Sequence, residues 1–137
     1  MSQENVQIVA RLYRAAERGD WWAYPQAFDP DVRSARVMSP ETEGAGLSGE
    51  WQGLDGLAEN LRLWFSAWNG FRSKPEEFIE AGDKVVVLTR ETATGKASGL
   101  PLDQDAADVW ELRDGKVVDV CFYLRREDAL EAAGLRE

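Results

Sequence analysis

The chain has no histidine among its 137 residues. That absence excludes Ser-His and Cys-His nucleophile systems, the H-E-x-x-H metal helix, His-ligated zinc and the two-His iron site together. Any proton transfer must run through Asp, Glu, Tyr, Lys or the lone cysteine. That one cysteine, Cys121, excludes an internal disulfide and fits a reducing compartment. No apolar run approaches the ~18 residues that would cross a membrane. The opening Met1-Ser2-Gln3-Glu4 has no basic-then-apolar signal pattern, so a cytoplasmic setting is expected. Basic residues are outnumbered 16 to 25 and the net charge is −9, which disfavours nucleic acid and anionic membrane surfaces as partners.

What is present reads as one domain over residues 1–137, with no repeat, linker or low-complexity segment. Residues 4–18 carry Val6, Val9, Tyr13 and Ala16 on one stripe at helical spacing, and Gly19 is a natural stop. A second helix is predicted around Trp21 to Phe28, bent or delayed by Pro25, with Asp29-Pro30-Asp31 as a closing turn. A strand over 32–38 precedes a long loop, residues 39–53, of the length that often serves as a lid. Leu57, Leu61, Trp64, Phe65 and Trp68 mark an amphipathic helix ending near Asn69-Gly70. Strands follow over 72–80, 84–94, 101–112 and 116–124, then a short helix over 127–133. Helices gathered on one face of an antiparallel sheet make an α+β domain. The element order predicts three N-terminal helices packed in the concavity of a curved antiparallel sheet, an arrangement that leaves a cavity for a small ligand.

The hairpin at Asp114-Gly115 supplies the sharpest candidate for chemistry. On the strand before it, Ala106, Trp110 and Leu112 share a face with Asp108, and a carboxylate on such a face is expensive to bury unless paired. Asp108 is therefore the candidate catalytic acid or base. The alternative is a structural carboxylate tied to an amide or an arginine. The series Asp103, Asp105 and Asp108 lacks the glycine and glutamate spacing of an EF-hand, and no metal or other cofactor is expected.

Several segments resemble SnoaL-like proteins of the nuclear transport factor 2-like superfamily. They are Glu4-Asn5-Val6 through Arg18-Gly19-Asp20-Trp21, Phe28-Asp29-Pro30-Asp31-Val32, Ala81-Gly82-Asp83-Lys84-Val85-Val86-Val87, Val109-Trp110-Glu111-Leu112-Arg113-Asp114-Gly115-Lys116-Val117-Val118, and Ala129-Leu130-Glu131-Ala132-Ala133-Gly134-Leu135. The resemblance implies a cone-shaped sheet wrapped over helices. The superfamily holds polyketide cyclases, ketosteroid isomerases, limonene epoxide hydrolases, dehydratases and members without known activity, so it does not choose among them. Asp108 matches the isomerase aspartic acid that donates to the steroid oxyanion ahead of the Gly-Lys-Val-Val hairpin. The isomerase tyrosine falls at Leu12, one residue from Tyr13, and the isomerase base falls at or near Arg36, so one of three is kept. The last-strand aspartate of epoxide hydrolases and the late aspartate of SnoaL-like cyclases both fall at or near Phe122, and the middle-strand pair of the hydrolases falls at Val85 and Val87.

The same alignment implies an inward face of Ser34, Arg36, Val85, Val87, Thr89, Glu91, Asp108, Trp110, Val118, Val120 and Phe122, with Asp119 and Cys121 outward. From it come the expected pocket residues: Arg36, Val87, Thr89, Glu91, Trp110, Val120 and Phe122, joined by Tyr13, Trp22, Trp64 and Trp68. Arg36 is either a partner of Asp108 or a solvated strand-edge residue. Glu91 is either a second pocket carboxylate or plain surface. Tyr13 and the tryptophans are either pocket wall or core. Two functions are carried forward: carboxylate acid-base chemistry of the isomerase, cyclase or dehydratase type on a small apolar carbonyl compound, or a non-catalytic domain that binds a hydrophobic small molecule or dimerises. By analogy with the family, a homodimer through the outer sheet face is expected, with Val109, Val117 and Tyr123 in the contact.

Overall fold

The computed structural model describes residues 2–18, 25–37 and 49–135. Helix α1 (Ser2–Glu17) leads through a short 3₁₀ turn (Pro25–Ala27) into strand β1 (Phe28–Val37). Then come β2 (Gly49–Gln52), α2 (Gly53–Ser66), β3 (Trp68–Ala81), β4 (Lys84–Gly95), β5 (Pro101–Arg113), β6 (Lys116–Tyr123) and α3 (Arg126–Ala132). The strands form one sheet in the order β2-β1-β6-β5-β4-β3. This is the expected α+β arrangement, a curved sheet covered by helices, and it is not closed into a barrel.

The sheet is mixed where an antiparallel one was expected. Consecutive strands β3 to β6 pair antiparallel through short turns, but β1 lies parallel to β6, with Arg36 beside Phe122. The chain reaches β6 only after the whole meander, so β1 meets it from the far side, where no hairpin dictates direction. Asp29-Pro30-Asp31, expected as a turn, is an irregular stretch of β1: the register shifts between Phe28 and Arg33, and the Asp31 amide donates to Asp29 Oδ1 at 2.8 Å. α2 also stops earlier than its apolar pattern suggests, so Trp68, Asn69 and Gly70 begin β3. Of the expected second helix, residues 21–24 lie outside the described residues, while Pro25–Ala27 form the 3₁₀ turn and Phe28 begins β1; residues 39–48 of the long loop also lie outside the described residues.

The β5–β6 turn puts Asp114 (φ 52°) and Gly115 (φ 78°) in the left-handed region, the geometry that suits the twist of a two-residue hairpin. Just beyond it the register shifts between Glu111 and Leu112, so that Leu112 sits opposite Val117 and Glu111 opposite Asp119. Val118 is the extra residue of a bulge. Val117 therefore enters the inner core, and Val118, expected inward, does not.

Helices α1 and α2 lay their stripes on one face of the sheet. Val9, Tyr13, Leu57, Val85, Val87, Trp110, Val117 and Val120 close the main core there. α3 covers part of the other face, where Ala129 packs with Val86, Ala107 and Val109. All three residues expected in an outer-face dimer contact are thus engaged within the chain: Val117 by the inner core, and Val109 and Tyr123 by the cluster that includes Ala129 of α3. Among the described residues, no helix is long and apolar enough to cross a membrane.

Candidate active site

Between α1, α2 and the sheet lies a cavity of about 70 Å³, space for about five waters or a small organic molecule. Its walls are mostly apolar, with Leu57, Leu61, Trp64 and Phe65 from α2 facing Phe71 and Phe122 from the sheet. Tyr13, Arg36, Glu91 and Asp108 break that surface.

Asp108 sits mid-strand on β5, between Val87 of β4 and Phe122 of β6, and is 4% exposed. Its partner is a tyrosine, not an arginine. Tyr13 of α1 donates its hydroxyl hydrogen to Asp108 Oδ2, and Trp110 Nε1 donates to the same hydroxyl oxygen at 3.0 Å. Trp110 follows Asp108 by two residues, so strand periodicity stands the indole beside the carboxylate. The Tyr13 ring is held edge-on by Trp110 and Phe78, with centroids 5.7 and 6.0 Å away. Burial pushes the Asp108 carboxyl up from 3.8 to about 6, opposed by the Tyr13 hydrogen bond and by the Arg36 charge. At neutral pH most of it is ionised. Burial first, then the charge of Asp108, push Tyr13 well above 10, which keeps its proton in place as a donor.

Arg36 was read as a solvated edge residue or a partner of Asp108, and the structure makes it neither. β1 is interior to the sheet, between β2 and β6, and Arg36 is 6% exposed. Its Nε donates to Asn60 Oδ1 at 3.2 Å, and the guanidinium carbon lies 4.2 Å from the Trp64 ring centroid and 4.6 Å from that of Phe122. Ring faces compensate a desolvated cation in part. Burial lowers its pKa from 12.5 to about 10, held up by the fields of Asp108 and Glu91, so it remains charged at neutral pH. Among the described residues it forms no ion pair, and at neutral pH it feels the Asp108 carboxylate through space.

Glu91, set in β4 between Ser73 and Gln104, is 7% exposed rather than on the surface. Burial first, then the Asp108 charge, push its carboxyl from 4.5 to about 8, against the pull of Arg36. The cavity thus holds one ionised carboxylate, one protonated carboxyl and one cation at neutral pH. Two carboxyls with pKa values driven apart are the usual basis of an acid and base division.

Of the other expected pocket residues, Trp64, Trp110 and Phe122 line the cavity. Val87, Thr89 and Val120 are fully buried in the sheet beneath it and do not line it. Trp68 stands behind the wall, 5.4 Å from Trp64 between ring centroids. Trp22 lies outside the described residues. Two polar residues at the site were missed, besides apolar wall residues such as Leu61 and Phe71. Asn60, 1% exposed, orients Arg36, and its place on the Leu57–Trp64 stripe was the available signal. Ser73 lines the cavity from an alternating strand position, with no distinctive sequence signal. Among the described residues, no group of three potential ligands is arranged to hold a metal. Cys121 faces the other side, where burial pushes its thiol up.

A curved, unclosed sheet covered by helices is the fold of the nuclear transport factor 2-like proteins. The SnoaL-like domain family matches residues 9–120, and the chain belongs to that family. A nuclear transport factor 2-like protein of unknown function from Burkholderia pseudomallei is 26% identical, with 93% of this chain and 95% of that chain covered and a TM-score of 0.77. TerC, co-crystallised with polyporic acid, is 27% identical over 96% of this chain and 98% of that one, with a TM-score of 0.75. A nuclear transport factor 2-like protein from Burkholderia xenovorans is 27% identical over 97% of both chains, with a TM-score of 0.73. Among proteins with curated descriptions, none matches the sequence significantly.

Proposed function

We propose that the cavity is an active site in which Asp108 moves a proton on a small, largely apolar carbonyl compound, in an isomerisation, cyclisation or dehydration. The observation that carries this reading is the ionised Asp108 carboxylate, held by Tyr13 in the wall of an apolar cavity. Asp108 takes a proton from the carbon next to the carbonyl. The electrons of the broken C–H bond move onto the carbonyl oxygen as an enolate, and the Asp108 carboxyl returns the proton to carbon in an isomerisation. The Glu91 carboxyl acts as the hydrogen-bond donor to the developing oxyanion, and the Arg36 cation lowers its energy in a low-dielectric site. The co-crystallisation of TerC with polyporic acid supports a small organic ligand for this cavity.

A thermal-shift screen with aromatic polyketides, steroids and terpenoids finds ligands. Proton NMR of each hit in D₂O then reads exchange next to the carbonyl. Exchange by the wild type that Asp108→Asn abolishes is the expected result, and exchange unchanged in that variant refutes the assignment. One observation favours a second reading. Tyr13 already occupies an Asp108 oxygen, as it would in a site that only binds a hydrophobic molecule. Ligand shifts with no exchange for any hit would select that reading.

A further inference from the structure

We propose that the molecule bound in this cavity is an aromatic acid, a flat ring system bearing one ionised oxygen group such as a carboxylate or acidic enol, and that Arg36 is the residue that binds that oxygen. The inference deepens the reading of the cavity as a small-molecule site by naming the charge and shape of its ligand.

Arg36 is a cation with spare donors. Only its Nε is hydrogen-bonded, to Asn60, and neither terminal nitrogen donates to a described residue. No carboxylate among the described residues forms an ion pair with it, although Asp108 and Glu91 lie close enough to act on its charge. A guanidinium that is 6% exposed gives up most of its hydration, and ring faces restore only part of that cost. An anionic acceptor restores the rest through charge-assisted hydrogen bonds, two at once if it is bidentate. The Asn60 bond and the rings of Trp64 and Phe122 fix the plane of the group, so the acceptor must approach its terminal edge.

The other polar groups point the same way. At neutral pH the Glu91 carboxyl is an O–H donor that makes no hydrogen bond with a described residue. Ser73 Oγ and Trp64 Nε1, on two cavity-lining residues, are likewise buried without partners among the described residues. Asp108, the one acceptor of consequence, is already engaged by Tyr13. A cavity with donors in surplus selects a ligand rich in acceptors. Its remaining walls, from Leu61 to Phe71, are apolar and largely aromatic, which suits a flat hydrocarbon frame.

The test uses two probes of one shape and a single ring, benzoate and the neutral benzamide, titrated at neutral pH into the wild type, Arg36→Met and Asp108→Asn with tryptophan fluorescence as the readout. The wild type is expected to bind the carboxylate at least about tenfold tighter than the amide, the scale of one charge-assisted contact. Arg36→Met is expected to lose that preference while still binding the amide. Asp108→Asn is expected to keep it, which separates failure of the proton-transfer reading from failure of this one. Equal or weaker binding of the carboxylate by the wild type, binding of neither probe, or an undiminished preference in Arg36→Met would each overturn the proposal. The wild-type comparison decides the matter even if the arginine variant does not fold.

Discussion

Replacing Glu91 with glutamine should stabilise the protein, by an amount that grows with pH. The glutamine keeps the shape of the side chain and removes only the titration. Glu91 ionises near 4.5 in an open chain and near 8 in the folded one, because burial and the neighbouring Asp108 charge oppose the carboxylate. Its folded pKa is raised, so its contribution to stability is fully present below 4.5 and is lost as pH climbs toward 8. In that window the unfolded chain releases a proton that the folded protein must keep. Each pH unit costs the wild type about 1.4 kcal/mol relative to the glutamine variant. The advantage of Glu91→Gln should start near zero at about pH 4, reach about 3 kcal/mol at about pH 7 and level off near about 5 kcal/mol above about pH 8. Urea unfolding of both proteins across that range measures it directly. A difference that stays flat with pH, or turns in favour of the wild type as pH rises, would show that Glu91 is ionised in the folded protein, and the acid and base division proposed for the cavity would fall with it.

Asp108→Asn should abolish turnover, and above about pH 6 it should also raise stability by up to about 3 kcal/mol, since the carboxyl it removes is raised from 3.8 to about 6 by burial; urea midpoints at about pH 5 and about pH 8 read the second effect. Tyr13→Phe should cost about 1–3 kcal/mol, because Trp110 Nε1 loses its acceptor. Without the hydroxyl that holds Asp108 down, the acidic limb of the pH–rate profile should also move to higher pH. Trp64→Ala should destabilise by about 3–5 kcal/mol through the void it leaves, measured by chemical unfolding.

Much of the fold was legible because it follows local rules. The alternation around Asp108, the Asp114-Gly115 turn and the Leu57–Trp64 stripe each fix an element with a few neighbouring residues. The site was less legible because its geometry is made by distant ones. Arg36 looked like an edge residue, since nothing near it says that β6 will lie alongside. Glu91 looked like surface because it lies near the end of its strand, whereas β3 and β5 flank it there through Ser73 and Gln104. Tyr13 read as core, and it is 7% exposed, but its hydroxyl role depends on a carboxylate whose approach the helix pattern cannot report. The Val117–Val118 exchange turns on a single bulge, which periodicity alone cannot anticipate.

The parallel seam between β1 and β6 also sets a timetable. Tyr13 and Asp108 are separated by 95 residues, and Arg33 meets Asp119 across 86. On a ribosome adding about 5–20 residues per second, the helix that carries Tyr13 is finished about 5–20 seconds before its carboxylate partner exists. Throughout that interval the strand bearing Arg36 has an open flank, and long loops must still be closed before any of these groups meet. A nascent chain cut short before Lys116 would hold every apolar wall of the cavity except Phe122, and would leave β1 as an exposed edge ready to pair with a strand from another chain.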